Sequence, residues 1–80
     1  MTRVPTANDL ARIDYLVAGV IYFNTNINFL ERRWVMQLNE GAIRREINYM
    51  KAEQLRLKEE LRQLVSQLSY KPPRAALVLG

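Results

Sequence analysis

The chain has 80 residues, of which 49% are hydrophobic and 25% are charged, and its formal net charge is +4. This composition is typical of a folded domain and not of a disordered segment. Because the sequence contains neither cysteine nor histidine, it excludes disulfides, thiolate metal ligands and the commonest general base. A chain this short buries a small core, so we expect support from oligomerisation or from docking into a larger assembly.

Residues 1–7 are predicted to form an extended N-terminal lead. Pro5 restricts the residue before it and disfavours a helix at this point. Thr6 or Asn8 can cap the helix that follows, and Asp9 suits the first turn of that helix. We therefore expect the helical part of the chain to begin at about residue 8.

The N-terminal residues lack the apolar stretch of a signal peptide. The most apolar run, residues 15–23, is much shorter than the roughly 20 residues that a membrane span requires. We therefore expect synthesis in the cytoplasm and no membrane-spanning segment. The final location is left open, and incorporation into a particle is one alternative. An amphipathic protein of the membrane surface is a third and weaker functional alternative, based on the same run.

The first long helix is predicted over about residues 8–38. Its apolar residues recur at alternating intervals of three and four, as in a helix that buries one face. This first seam consists of Ile13, Leu16, Val20, Phe23, Ile27, Leu30 and Trp34. A neighbouring apolar stripe, the partner-facing stripe, consists of Tyr15, Tyr22, Phe29 and Met36. The two together are wider than one helical partner covers, so the stripe is predicted to face another subunit.

Two local features of this helix bear on its shape and packing. Residues 24–28 read Asn-Thr-Asn-Ile-Asn, and such side chains compete for backbone hydrogen bonds. The alternatives are a break here or an intact helix, and we favour the intact helix because packing often overrides propensity. Ala18 and Gly19 leave room for a close approach by another backbone.

The second long helix is predicted over about residues 42–69. It carries a heptad seam of Ile43, Ile47, Met50, Leu57, Leu61, Leu64 and Leu68. Gln54 occupies one place in this seam. It is interpreted either as a polar seam residue that fixes register and oligomer number or as an edge residue that reaches water.

The two helices are predicted to form an antiparallel hairpin over residues 8–70, which makes the fold all-α. In one straight helix the two seams would point to opposite sides, whereas a turn at residues 39–41, with Gly41 in a left-handed C-cap, lets them meet. The alternative is one long continuous or kinked helix. It is favoured by apolar residues seven apart, which run through Gly41 from Tyr15 to Leu64.

Residues 71–80 are predicted to form an extended, proline-containing tail. Pro72 and Pro73 end the second helix and favour a polyproline conformation. The apolar residues after them are predicted to dock on a neighbouring chain; they are Ala75, Leu77, Val78 and Leu79. The alternative is a frayed end.

An arginine cluster, Arg32, Arg33, Arg44 and Arg45, flanks the predicted turn. The guanidinium group binds phosphates and carboxylates with two hydrogen bonds, so these residues are candidates for contact with an anionic partner. The alternative is that they are solvated charges at the helix ends.

The sequence predicts no catalytic residue, no metal ligand set, no cofactor and no small-molecule substrate. The adjacent Glu59 and Glu60 do not face a common point on a helix, and the hydroxyl side chains have no base beside them. We predict a non-enzymatic structural or assembly subunit of a larger multi-chain complex, such as a component of a viral (phage) particle. Its partners would be other protein subunits, either copies of this chain or different chains.

The alternative function is a small regulatory module. It would contact nucleic acid or a nucleoprotein machine through the arginine cluster, since the excess positive charge lies in residues 41–80.

Overall fold

The computed structural model describes residues 2–34 and 40–80, apart from the side chains of Arg33, Trp34 and Glu40. Within these residues the chain forms three helices: α1 (Ala7–Trp34), α2 (Glu40–Ser66) and α3 (Pro73–Leu79). Helices α1 and α2 pack against each other along their length. Arg12 contacts Glu60 and Glu31 contacts Lys51, so the two helices are antiparallel. The predicted all-α helical hairpin is confirmed, and the single long helix is wrong.

The start of α1 is set by a reciprocal pair of hydrogen bonds between Thr6 and Asp9. The backbone N–H of Asp9 donates to the Thr6 hydroxyl oxygen at 3.2 Å, and the backbone N–H of Thr6 donates to the Asp9 carboxylate at 2.8 Å. This is a capping box with aspartate in the third helical position. The structure therefore identifies Thr6 as the cap.

Helix α1 continues without a break through residues 24–28. Asn26 directs its side-chain amide back along the helix and donates a hydrogen bond to the carbonyl oxygen of Tyr22 at 2.8 Å. Ile27, in the middle of the stretch, is buried. Packing of the apolar face thus outweighs the low helix propensity of the asparagines.

The predicted role of Gly41 is wrong. Gly41 is the second residue of α2, and Gly80 is the residue with a positive φ among those described. Glycine adopts right-handed helical angles as well as left-handed ones, so its presence does not by itself mark a C-cap. The rest of the predicted turn, including Asn39, lies outside the described residues.

The N-terminal lead pairs with the end of α2. The N–H of Arg3 donates to the carbonyl oxygen of Gln67 at 3.0 Å, and the N–H of Ser69 donates to the carbonyl oxygen of Arg3 at 2.7 Å. These bonds place Arg3 and Leu68 in a short parallel pairing. Helix α2 ends at Ser66, before the predicted residue 69, because the next backbone groups bind the lead.

The C-terminal tail is helical, so the prediction of an extended tail is wrong. Pro72 is extended, with φ −59° and ψ 146°, and Pro73 occupies the first position of α3. A proline fits there because its φ suits a helix and its missing N–H would be unpaired in any case. Gly80 ends α3 with φ 86°, and its N–H donates to the carbonyl oxygen of Ala76 at 3.1 Å.

The main core cluster lies where the three helices meet, and Ile27 and Ile47 are buried outside that cluster. The buried apolar residues are Ile13, Leu16, Val17, Val20, Ile27, Ile47, Leu57, Leu61, Leu68 and Ala75. The remaining described residues of the two predicted seams are half-buried; they are Phe23, Leu30, Ile43, Met50 and Leu64. Trp34 lies outside the described side chains. Val17 was not predicted, and it belongs to the same buried cluster as Ala75 of α3.

Candidate interaction surface

Three aromatic residues of the partner-facing stripe are exposed on one side of α1. The exposed fractions are 63% for Tyr15, 62% for Tyr22 and 55% for Phe29. Their spacing of seven residues keeps them in line along the helix. Met36, the fourth member of the stripe, lies outside the described residues.

A shallow groove of about 390 Å³ runs between α1 and α2 beside these rings. Its lining residues are Tyr15, Ala18, Gly19, Tyr22, Phe23, Glu53, Arg56 and Leu57. The groove is shallow because the helices approach closely: a Cβ atom on Gly19 would lie 2.8 Å from Cδ1 of Leu57. The room that Gly19 leaves is therefore filled by a side chain of α2.

A fourth exposed aromatic residue extends this surface onto α2. Tyr49 is 61% exposed. It precedes Glu53 by four residues, so both lie on the side of α2 that borders the groove. We call Tyr15, Tyr22, Phe29 and Tyr49 the aromatic face.

The charged side chains at the edge of the groove are paired with each other. Arg12 contacts Glu60 at 2.5 Å, and Arg56 contacts Glu53 at 2.9 Å and Glu60 at 3.4 Å. The hydrogen bond that Arg56 donates to the carboxylate of Glu53 raises the pKa of Arg56 above its ordinary value. These two cations and two anions compensate one another, so this edge carries no net charge.

Two ring contacts hold the tyrosines in place. The guanidinium carbon of Arg12 lies 5.1 Å from the centroid of the Tyr15 ring, which is a cation–π distance. The rings of Tyr22 and the half-buried Phe23 meet edge to face, with centroids 5.5 Å apart. A surface whose rings are already oriented loses less entropy when it binds.

The antiparallel helices bring the described members of the arginine cluster to one end of the hairpin. Arg32, Arg44 and Arg45 are exposed there. The side chain of Arg33 lies outside the described residues. The structure therefore places these arginines at a common end and on an open surface.

Three of the four tail residues pack on their own hairpin and not on a neighbouring chain as predicted, while docking of the fourth, Leu77, stays a prediction. Ala75 is fully buried, and Val78 and Leu79 are half-buried against the core. Arg74 adds a hydrogen bond to Asp14 at 3.2 Å. Leu77 differs from the other tail residues, since it is 64% exposed.

Gln54 lies at a second cleft, of about 250 Å³, which α1, α2 and α3 form together. Its side-chain Nε2 donates a hydrogen bond to the carbonyl oxygen of Val20 at 3.1 Å. The cleft is lined by Val20, Ile21, Asn24, Gln54, Lys58, Leu77 and Val78. Gln54 thus bonds across the helix pair, and its role in fixing register stays a prediction.

The described residues lack two other kinds of site. No group of three or more Asp, Glu, His or Cys side chains in them is arranged to hold a metal ion. Among the helices of those residues, none combines the length and the apolar character needed to cross a membrane.

Comparisons of the chain with protein-family models, with curated proteins and with solved structures found no match.

Proposed function

We propose that this protein is a non-enzymatic assembly subunit of a multi-chain complex and that its aromatic face packs against another protein. The observation that carries this proposal is that four aromatic side chains stay exposed on one side of the hairpin, although the seams of α1 and α2 already cover each other. These side chains are Tyr15, Tyr22, Phe29 and Tyr49.

The size of the aromatic face supports this role. At more than half exposure, four such side chains present roughly 500 Å² of surface. An apolar patch of several hundred Å² is as large as the largest on a typical monomer and is often functional. Aromatic residues are also enriched in protein interfaces and supply many of the side chains that dominate binding energy.

The position of the C-terminal tail limits which surface is open to a partner. Because α3 packs on the hairpin through Ala75, Val78 and Leu79, these residues are occupied within the chain. The tail therefore supplies no evidence for a neighbouring chain, and the proposal rests on the aromatic face.

Photo-crosslinking in the cells that naturally make the protein tests this proposal. A photoreactive phenylalanine analogue replaces Tyr22 in one variant and Leu77 in another. Leu77 is a matched control because it is an equally exposed apolar residue outside the aromatic face. We expect discrete adducts with protein from position 22 and few from position 77. An absence of adducts at position 22, or identical adducts from both positions, would overturn the proposal.

A second candidate function is binding of nucleic acid by the arginine cluster. The exposure of Arg32, Arg44 and Arg45 at one end of the hairpin favours it. Binding through phosphate contacts weakens steeply as salt rises. Titration with a DNA or RNA duplex at low salt, repeated after replacing Arg32 and Arg45 by glutamine, measures it. Equal affinity in the variant would exclude this function for the cluster.

A further inference from the structure

We infer that the occupant of the aromatic face is a second copy of this chain, packed antiparallel across a twofold axis at Tyr22. This inference rests on the proposed function, since it names the partner of the same surface. Three properties of the described residues carry it: the spacing of the rings, the charge balance at the groove, and the area of the face.

The spacing makes the face complementary to itself. Tyr15 and Phe29 lie seven residues on either side of Tyr22. When two α1 helices run antiparallel with Tyr22 on the axis, Tyr15 of each copy lies opposite Phe29 of the other, and the two Tyr22 residues face each other. This is the isologous contact of a twofold dimer. Aromatic pairs of this kind favour edge-to-face or offset packing.

Small residues between the facing rings favour a close approach of the two helices. In this register the exposed Ala18 of each copy, which lines the groove, comes opposite Asn26 of the other. The room at Gly19 is already filled by Leu57 of the same chain.

The charge balance favours a copy of the same chain over an anionic partner. Two molecules of net charge +4 repel each other, so a self-contact must avoid unpaired cations. At this groove Arg12 is paired with Glu60, and Arg56 with Glu53. Within the groove two such faces therefore meet with paired charges. In the antiparallel register the exposed Arg32 of each copy comes opposite Arg12 of the other, whose charge Glu60 already compensates.

The area predicts a dimer of modest affinity. Two aromatic faces bury roughly 1,000 Å² in total, which is at the lower end for a specific protein interface. We therefore expect exchange between monomer and dimer over a micromolar concentration range, with little dependence on salt.

Thiol cross-linking tests the arrangement directly, because the natural chain contains no cysteine. The purified full chain is treated with a short thiol-to-thiol cross-linker. We expect Tyr22→Cys to give a covalent dimer by itself. We also expect a mixture of Tyr15→Cys and Phe29→Cys to cross-link at least tenfold faster than either variant alone. Leu77→Cys, the exposed control, should stay monomeric.

Further measurements cover the case in which a cysteine itself disturbs the contact. Sedimentation of the unmodified chain over a concentration series should show a dimer, and Tyr22→Ser should raise its dissociation constant at least tenfold. A chain that stays monomeric at all concentrations, or cross-linking of Tyr22→Cys no faster than Leu77→Cys, would overturn the inference. So would self-linking of Tyr15→Cys without the mixed product, which indicates a parallel pair.

The photo-crosslinking experiment separates the two proposals. An adduct at position 22 with twice the mass of the 9.4 kDa chain supports both. Adducts at that position with a different protein alone would overturn the second-copy inference and leave the proposed function standing. An absence of adducts would remove the proposed function, and the inference with it.

Discussion

Gln54 of α2 donates a hydrogen bond from its side-chain amide to the carbonyl oxygen of Val20 in α1, at 3.1 Å. This bond ties a half-buried polar side chain to the backbone of the facing helix. As an interior residue of α1, Val20 also accepts the usual helical hydrogen bond at the same oxygen. If the contact were broken, the Val20 carbonyl oxygen would keep its helical hydrogen bond, whereas the Gln54 amide would lose this one.

Replacement of Gln54 by glutamate should destabilise the hairpin by about 1–3 kcal/mol, because a carboxylate removes the donor and faces a carbonyl oxygen. Gln54→Met should change the free energy of unfolding by less than about 1 kcal/mol, since it keeps the volume and adds apolar burial. Urea unfolding measures both. Gln63→Glu, at an exposed position of the same helix, is the control. Equal stability of Gln54→Glu and the unmodified chain would show that the bond has no role in stability.

Replacement of Gly19 and of Gly41 by alanine should change the free energy of unfolding differently. Both are helical, and the substitution raises helix propensity by up to about 1 kcal/mol. A Cβ on Gly41 meets no atom within 4 Å, whereas one on Gly19 lies 2.8 Å from Leu57. We expect Gly41→Ala to stabilise the chain. Gly19→Ala should be neutral or destabilising, because overpacking costs about 1–3 kcal/mol.

A double-mutant cycle between Gly19→Ala and Leu57→Ala identifies the cause. If Leu57 is the clashing group, the cost of Gly19→Ala should shrink by at least about 0.5 kcal/mol when Leu57 is already truncated. Strictly additive effects would contradict this account.

Asp9 should make the stability of the N-terminal region dependent on acid pH. The hydrogen bonds from the Arg3 guanidinium and then from the Thr6 N–H hold the pKa of Asp9 well below its ordinary value of 3.8. Because the folded-state pKa is the lower one, the unfolded chain takes up the proton first as the pH falls. The contribution is complete above about pH 5 and declines progressively below about pH 4.

Urea midpoints measured from about pH 5 to pH 2 test this dependence. Asp9→Asn should be less stable than the unmodified chain at pH 5 and should lose less stability on acidification. Asp14→Asn, an exposed aspartate of the same helix, should retain the steeper decline. A decline equally steep in Asp9→Asn would place the acid sensitivity elsewhere.

Ala75 and Ala76 of α3 provide a matched pair for testing how the tail docks. Ala75 is fully buried and Ala76 is exposed. Ala75→Glu should detach α3 or cost about 2 kcal/mol or more, because it places a charge in the core. Hydrogen exchange of the α3 amides should accelerate in Ala75→Glu and stay unchanged in Ala76→Glu. Equal protection in both variants would mean that α3 is held by other contacts.

Much of the fold follows from local patterns. The alternation of three and four residues specified two amphipathic helices, and the phase of their apolar faces required a turn between them. Thr6 was one of two predicted caps, with Asn8, and its hydrogen bonds with Asp9 in the structure distinguish them. The exposed rings of Tyr15 and Tyr22 were singled out as surplus to the seam. These features depend on residues within a few turns of one another.

The errors arose where one residue type serves two purposes. Pro73 was read as the end of a helix, although a proline suits the first position of a helix equally well. Gly41 was read as a C-cap, although glycine also fits a first helical turn. Local sequence allows both outcomes at each position, so the surrounding packing decides between them.

By itself the sequence determined that α1 carries more apolar surface than one partner helix covers. The tertiary structure alone decided that another part of this apolar surface is covered from within the chain. Helix α3 packs on the side that contains Val17 and leaves the side of Tyr15 and Tyr22 open. Periodicity reports which side chains gain from burial, whereas the choice of what covers them depends on contacts between residues far apart in the chain.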